Sequence, residues 1–137
     1  MAHSNRPLTS REFKIMLDTN RFMDRKKGTK EISTIIESLI EKKGGKFNGD
    51  SEEKERRTWY LDTNTYELYY NNNFLLRIRK EKKSEEYDVT LKCRHPDRYV
   101  SASHDLSSSV KGIEIKFEED IVTPFISKFS LSASLKG

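Results

Sequence analysis

Short segments in which charged and apolar residues alternate recur along this chain, and they constrain its fold more than any other feature. The segment NFLLRIRK, Asn73–Lys80, places Arg77 and Arg79 two positions apart with Ile78 between them. Successive side chains of a β-strand point to opposite faces of a sheet, so both arginines share one face. The same alternation predicts strands at Arg11–Asp18, Arg57–Asp62, Tyr87–Arg94 and Gly112–Glu118, with a weaker sixth at Phe125–Ser132.

One segment has helical periodicity instead. In Thr29–Lys43, isoleucine and leucine recur at spacings of three and four, which places them on one stripe of a helix. Thr29 is the predicted N-cap, and the two glycines after the segment end the helix. We expect the stripe to cover the apolar face of the sheet. The residues expected to pack on that face are Phe13, Ile15, Val89, Leu91, Ile113 and Ile115.

Length and composition limit the class of protein. The 137 residues suffice for a single domain over residues 1–137, and no apolar run approaches the roughly 20 residues of a membrane span. The first residues lack the apolar segment of a secretory signal. The single cysteine, Cys93, has the parity of a core residue rather than that of a nucleophile, and a lone thiol fits a reducing compartment. We therefore expect a cytoplasmic protein, in which the polar segments Gly44–Glu55 and Ser101–Ser109 are loops.

The polar face of the predicted sheet is dense in charge. For any one strand, a solvated sheet face explains the pattern, but such faces usually mix threonine, serine and glutamine among their charges. Arginine and lysine bind phosphate oxygens, carboxylates bind hard divalent cations, and closing such a sheet would form a barrel with a charged lumen. Over four strands nearly every outward position is ionisable, and basic residues outnumber acidic ones six to four: Lys14, Arg77, Arg79, Lys92, Arg94 and Lys116 against Glu12, Asp88, Glu114 and Glu118.

Five motifs follow one another along the chain in a recognisable order. An E-x-K near the start precedes WYLDT, LLRIR, VTLKCR and the acidic GIEIKFEED, over roughly residues 11–120. This order resembles the CYTH family of triphosphate tunnel metalloenzymes, which includes class IV adenylate cyclases, thiamine triphosphatases and tripolyphosphatases. The resemblance implies an α+β fold, in which an antiparallel β-barrel with flanking helices forms a tunnel. It also implies that the tunnel binds a triphosphate together with Mg²⁺ or Mn²⁺.

The resemblance also assigns roles to single residues. Arg77 and Arg79 match the family's substrate-binding R-x-R, and Lys92 matches the lysine of its T-L-K strand, which Arg94 extends. Lys14 matches the lysine of the opening E-x-E-x-K. The implied phosphate-binding residues are therefore Lys14, Arg77, Arg79, Lys92 and Arg94, and the implied metal ligands are Glu12, Glu114 and Glu118. No catalytic residue is assigned.

Three features depart from the family pattern. Ser10 stands where the first glutamate of E-x-E-x-K is expected, and Lys116 stands between Glu114 and Glu118 where a second late glutamate is expected. Both changes weaken metal binding, so triphosphate binding is better supported than hydrolysis. The family barrel also needs about eight strands. We therefore expect one of three cases: the C-terminal strands of the family fold are missing, the tunnel is open, or a second copy completes it through an unpaired edge, as a homodimer.

Three functions are compatible with these residues. The first is metal-dependent hydrolysis of a triphosphate, or its cyclisation as in class IV adenylate cyclases. The second is capture of a polyphosphate or nucleotide without turnover. The third, RNA binding by the basic face with its neighbouring aromatic residues, ranks last because no aromatic RNP strand is present. We therefore predict a small-molecule triphosphate or polyphosphate as partner, and neither a membrane nor a nucleic acid.

Overall fold

The structure, a computed structural model, describes residues 5–48 and 54–137. Within these residues the fold is α+β, as predicted, with six strands in a single mixed sheet. Residues 5–15 and 54–137 form one compact unit, which contains the sheet, and residues 16–48 form another. In chain order the elements are β1 (Ser10–Lys14), a 3-10 turn (Thr19–Phe22), α1 (Arg25–Lys42), β2 (Arg56–Leu61), α2 (Glu67–Asn72), β3 (Phe74–Glu81), β4 (Tyr87–His95), α3 (Arg98–Ala102), β5 (Glu114–Val122) and β6 (Ile126–Lys136).

The sheet is open. Its strand order is β1-β5-β6-β4-β3-β2, so β1 and β2 form the two edges. β1 runs parallel to β5, whereas all other neighbours are antiparallel. The prediction of purely antiparallel pairing is therefore wrong for β1. β5 uses its other edge for the hairpin with β6, so β1 pairs at the edge that remains. In the described part of the chain the sheet does not close into a barrel.

The predicted strand Arg11–Asp18 is too long. β1 ends at Lys14, and Ile15 beyond it is 73% exposed. The pairing with β5 ends where Lys14 meets Val122, because the chain then turns through residues 123–125 into β6. A strand needs a hydrogen-bonded neighbour, and the alternating sequence continues past the last one. The sixth strand is longer than predicted, since β6 runs on to Lys136.

The helices also differ from the prediction at their ends. α1 begins at Arg25, because the carboxylate of Asp24 accepts a hydrogen bond from the Lys27 N–H and forms the N-cap. Thr29 was the wrong N-cap, since it lies inside the helix, where its hydroxyl donates to the Arg25 carbonyl. Gly44 follows the helix with a φ of 77°, as its position predicted. That the apolar stripe of α1 covers the sheet stays a prediction.

The two short helices α2 and α3 were not predicted. With six and five residues, each is too short to show a helical period. The last two residues of α3, Ser101 and Ala102, overlap the predicted loop Ser101–Ser109. The Asp97 carboxylate caps this helix by accepting from the Tyr99 N–H. In the predicted loop Gly44–Glu55, residues 49–53 lie outside the described residues. No helix in the described part of the chain is long and apolar enough to cross a membrane.

The buried core lies at one end of the apolar sheet face, under α3. Its members are Ala102, Phe117 and Leu131, and the Ser101 hydroxyl ties the helix to the sheet by donating to the Phe129 carbonyl. Cys93 is 1% exposed, which confirms its assignment as a buried residue, and burial raises the pKa of its thiol. α3 covers only this end of the face. The other positions expected to pack on this face are exposed to different degrees, at 73% for Phe13, 73% for Ile15, 38% for Val89 and 36% for Ile115. Their packing stays a prediction, because it depends on the cover expected from α1.

Candidate functional site

The pairing register places the predicted basic residues on one sheet face. Residues directly opposite each other on neighbouring strands point the same way. Arg77 lies opposite Thr90, and Arg79 lies opposite Asp88, on β3 and β4. Ser132 of β6 lies opposite Lys92 on one side and opposite Lys116 on the other. The alternation read from the sequence therefore gives the correct face for β3, β4 and β5.

These side chains surround a cavity of about 670 Å³, which we call the charged cavity. It receives residues from every strand except β2. Seven of the eight predicted site residues line it, together with Lys116 and Lys136. Its charged lining consists of six basic and four acidic side chains: Lys14, Arg77, Arg79, Lys92, Lys116, Lys136, Glu12, Asp88, Glu114 and Glu118.

Arg94 is the predicted site residue that does not line the charged cavity. It lies in a neighbouring cavity of about 400 Å³, which we call the tyrosine cavity because Tyr60, Tyr69 and Tyr70 contribute to it. The two cavities share Lys14, Arg77, Thr90 and Lys92. They are therefore neighbours that share three cations.

Arg77 is held in place by polar contacts along the sheet. Its Nη2 donates to the Thr90 hydroxyl at 3.0 Å, and that hydroxyl donates to the Asp88 carboxylate at 3.2 Å. A second Asp88 oxygen lies 3.8 Å from the same Nη2. The buried Nε of Arg77 has no hydrogen-bond partner among the described residues. The contacts fix the guanidinium and leave one buried N–H donor for another acceptor.

Burial and crowding of cations act on two further residues. Burial lowers the pKa of Lys92, and the nearby cations Lys14 and Arg77 lower it further, against the opposing effect of Asp120 and Glu118. Burial also lowers the pKa of Arg79, and the nearby charges of Arg77 and Arg56 lower it further. Both shifts mean that the charged form of each side chain is disfavoured here. An anion in the cavity would reverse this effect.

Asp120 is the residue that the sequence reasoning missed. It is 2% exposed, and its carboxylate lies between two of the predicted site residues. Lys14 Nζ lies 2.9 Å from Oδ1, and Arg94 Nη2 lies 3.2 Å from Oδ2, although without the geometry of a hydrogen bond. The signal was present, because Asp120 continues the even-numbered charged positions of GIEIKFEED. The predicted strand stopped at Glu118, whereas β5 runs on to Val122 and so includes Asp120.

The three predicted metal ligands do not form a metal site by themselves. Glu12 pairs with Lys14 and Glu114 pairs with Lys116, each at 3.3 Å, while Glu118 accepts a hydrogen bond from the Ser10 hydroxyl at 2.9 Å. No three His, Cys, Asp or Glu side chains of the described residues come together as ligands. In this arrangement each of the three carboxylates contacts a lysine or a hydroxyl group. Binding of Mg²⁺ or Mn²⁺ stays a prediction.

Comparisons with protein-family models, with curated proteins and with solved structures found no match for this chain.

Proposed function

We propose that the charged cavity binds a triphosphate-containing anion, either an organic triphosphate or an inorganic polyphosphate. The observation that carries this proposal is the convergence of six basic side chains from five strands on one cavity. The hydroxyl groups of Ser132 and Ser134 of β6, on the same face, add uncharged donors for phosphate oxygens. A polyphosphate chain offers the extended row of charge that such a set matches.

The two arginines of β3 carry most of the expected affinity. As alternate residues of a strand, Arg77 and Arg79 lie about 6–7 Å apart along it. That spacing is within reach of neighbouring phosphoryl groups, and each planar guanidinium can donate two parallel hydrogen bonds. The lowered pKa of Arg79 and Lys92 supports the same proposal, because an anion would relieve the repulsion among the buried cations.

Catalysis and family membership are also proposals. The motif order supports a CYTH-like protein that hydrolyses a triphosphate with Mg²⁺ or Mn²⁺, or cyclises it as an adenylate cyclase does. The alternative is a binding module without turnover. It is favoured because each predicted metal ligand already contacts a lysine or a hydroxyl group, as Glu12, Glu114 and Glu118 do. Turnover assays with tripolyphosphate, ATP and thiamine triphosphate, each with Mg²⁺ and with Mn²⁺, distinguish the two. Release of phosphate, pyrophosphate or a cyclic nucleotide would establish an enzyme.

The tunnel and the cellular location belong to the same proposal. A closed tunnel requires that the open edges β1 and β2 acquire neighbours, and a second copy of the chain would supply them. A cytoplasmic location is supported by the lone buried thiol of Cys93. Neither a nucleic acid nor a membrane is part of the proposal.

Replacing Arg79 tests the phosphate site directly. We expect Arg79→Ala to weaken tripolyphosphate binding by about 2–4 kcal/mol, because one phosphoryl group loses its charged partner. Arg79→Lys should restore part of this loss, since an ammonium group cannot reproduce the planar fork. Isothermal titration calorimetry at fixed salt measures all three affinities.

Lys80→Ala is the matched control. Lys80 is the next residue of the same strand and carries the same charge, but it points to the opposite face, where it pairs with Glu85 at 3.1 Å. Its loss should change the affinity by less than about 1 kcal/mol, as for other exposed charges. If Arg79→Ala and Lys80→Ala weaken binding equally, net charge and not the cavity determines affinity, and the proposed site is wrong.

A further inference from the structure

The tyrosine cavity gives the phosphate site a second, aromatic compartment. Tyr60, Tyr69 and Tyr70 line it and are 65%, 55% and 73% exposed. Tyr69 and Tyr70 meet edge to face with ring centroids 5.2 Å apart, and Tyr66 meets Tyr70 in the same way at 6.2 Å. Exposed aromatic rings clustered beside cations are typical of surfaces that stack planar ligands.

Tyr60 connects this compartment to the phosphate site. It lies directly opposite Arg77 on neighbouring antiparallel strands, so its ring and the guanidinium share one sheet face. Side chains in such a pair have Cβ atoms about 4.5–5.5 Å apart. Trp59, the adjacent residue, points to the other face, where it meets Tyr87 and Arg57. Of the two β2 aromatic residues, only Tyr60 can contact a ligand that Arg77 holds.

We infer that the site takes a triphosphate ester carrying an uncharged planar aromatic ring, such as a nucleoside triphosphate, with the ring stacked on Tyr60 and the tyrosines of α2. This inference rests on the proposed function, because the phosphates are held by the charged cavity. It adds a second contact that inorganic tripolyphosphate cannot make.

The charge of the tyrosine cavity selects the kind of ring. Five basic side chains line it, and its single carboxylate, Asp120, is already engaged by Lys14 and Arg94. A cationic ring would be repelled by this lining, although tyrosine faces attract cations in a neutral setting. An uncharged ring stacks on the tyrosines without that repulsion. The site therefore favours ATP over thiamine triphosphate, whose thiazolium ring is positively charged.

The test compares ATP, thiamine triphosphate and inorganic tripolyphosphate by calorimetry on the full chain at one salt concentration. Wild type should bind ATP more tightly than thiamine triphosphate. Tyr60→Ala should weaken ATP binding roughly 5- to 100-fold, as expected for loss of one stacking partner, and should leave tripolyphosphate binding within about twofold. Tyr60→Phe keeps the ring and should retain the wild-type ATP affinity. Tyr69→Ala should weaken ATP selectively in the same manner.

Tyr99→Ala is the matched control, because Tyr99 is 63% exposed and lines neither cavity. It should leave all three affinities unchanged. If wild type binds tripolyphosphate and Tyr60→Ala weakens neither ligand or weakens both equally, the aromatic compartment is wrong and the phosphate site stands. Tighter binding of thiamine triphosphate than of ATP would overturn the choice of an uncharged ring. If wild type binds none of the three, the proposed function itself fails.

Discussion

At the scale of single residues, Asp120 decides how much positive charge the site offers a ligand. A buried carboxylate is costly unless cations or hydrogen bonds compensate it, and here Lys14 and Arg94 do so from both sides. The pairing has a second effect, because it neutralises part of the charge of two residues predicted to bind phosphate. Asp120 therefore supports the fold at the expense of affinity for anions.

Asp120→Asn should move stability and affinity in opposite directions. We expect the free energy of unfolding to fall by about 1–3 kcal/mol, because two half-exposed cations lose their shared partner. We expect tripolyphosphate to bind roughly 3- to 10-fold more tightly, because one negative charge near the site is removed. Chemical denaturation measures the first effect and calorimetry the second.

Glu119→Gln is the control for this change. Glu119 is the neighbouring residue of β5 with the same charge, but it lies on the other face, where it pairs with Arg11 and accepts a hydrogen bond from Ser127. Its loss should leave the affinity for tripolyphosphate within about twofold. Weaker binding by Asp120→Asn would contradict the role given to Asp120, and would point to a carboxylate that helps to position the ligand.

The face of each site residue could be predicted from the sequence, whereas its partners could not. Alternation is a local property, so the shared face of Arg77, Arg79 and Lys92 followed from the spacing alone. The pairing of Glu12 with Lys14 and of Glu118 with Ser10 depends on side-chain geometry and strand register. The sequence therefore identified the carboxylates and predicted a metal for them, but it could not show that each carboxylate already contacts a side chain of the protein.

At the scale of elements, the unit that contains α1 depends on a glycine inside a helix. Gly28 is buried in the first turns of α1, against the 3-10 turn that precedes it. A Cβ at this position would lie 2.5 Å from the Arg21 carbonyl oxygen and 2.8 Å from Cδ1 of Phe22. Glycine normally weakens a helix, so its presence here is explained by this close approach.

We expect Gly28→Ala to destabilise α1, although alanine is the better helix former. The gain in helix propensity is about 1 kcal/mol, and the overlap with a backbone oxygen should cost about 1–3 kcal/mol. Faster amide hydrogen exchange along α1 would report the net loss. Thr34→Ala, at an exposed position of the same helix, should instead slow exchange slightly. Slower exchange in Gly28→Ala would contradict this prediction, because it would mean that the 3-10 turn can move away from α1 without loss of stability.

Element boundaries show where local sequence stops determining structure. The alternation of β1 continues to Asp18, but the strand stops at Lys14 because its neighbour β5 ends there. The N-cap of α1 was misplaced because Asp24 precedes Ile32, the first residue of the apolar stripe, by more than two helical turns. α2 is fixed by the Asp62 carboxylate, which accepts from the Leu68 and Tyr69 N–H groups. α3 is fixed by its Asp97 cap and by the bond from the Ser101 hydroxyl to the Phe129 carbonyl. Such contacts leave no periodic pattern in the sequence from which these two helices could be predicted.

At the scale of the whole molecule, the proposed site joins strands that are distant in sequence. The charged cavity takes residues from β1, β3, β4, β5 and β6, so a ligand there contacts both the beginning and the end of the chain. The sheet remains open at β1 and β2, and a homodimer that covers these edges stays a prediction that size measurements in solution can check.

Because the cavity is shared by five strands, a ligand that fills it should stabilise the sheet as one unit. Tripolyphosphate at about 100 times its dissociation constant adds about 2.7 kcal/mol to the free energy of unfolding, which corresponds to a rise in Tm of roughly 10 °C. Mg²⁺ alone should leave Tm unchanged, since Glu12 and Glu114 are each paired with a lysine and no cluster of ligands forms among the residues that the structure describes. Orthophosphate at equal ionic strength is the control for salt. It should raise Tm only slightly, because its single phosphoryl group can contact only two of the cations at once. Thermal unfolding of the full chain in each solution makes the comparison. Stabilisation by Mg²⁺ alone would contradict this prediction, because it would mean that these carboxylates leave their lysines and form a resident metal site.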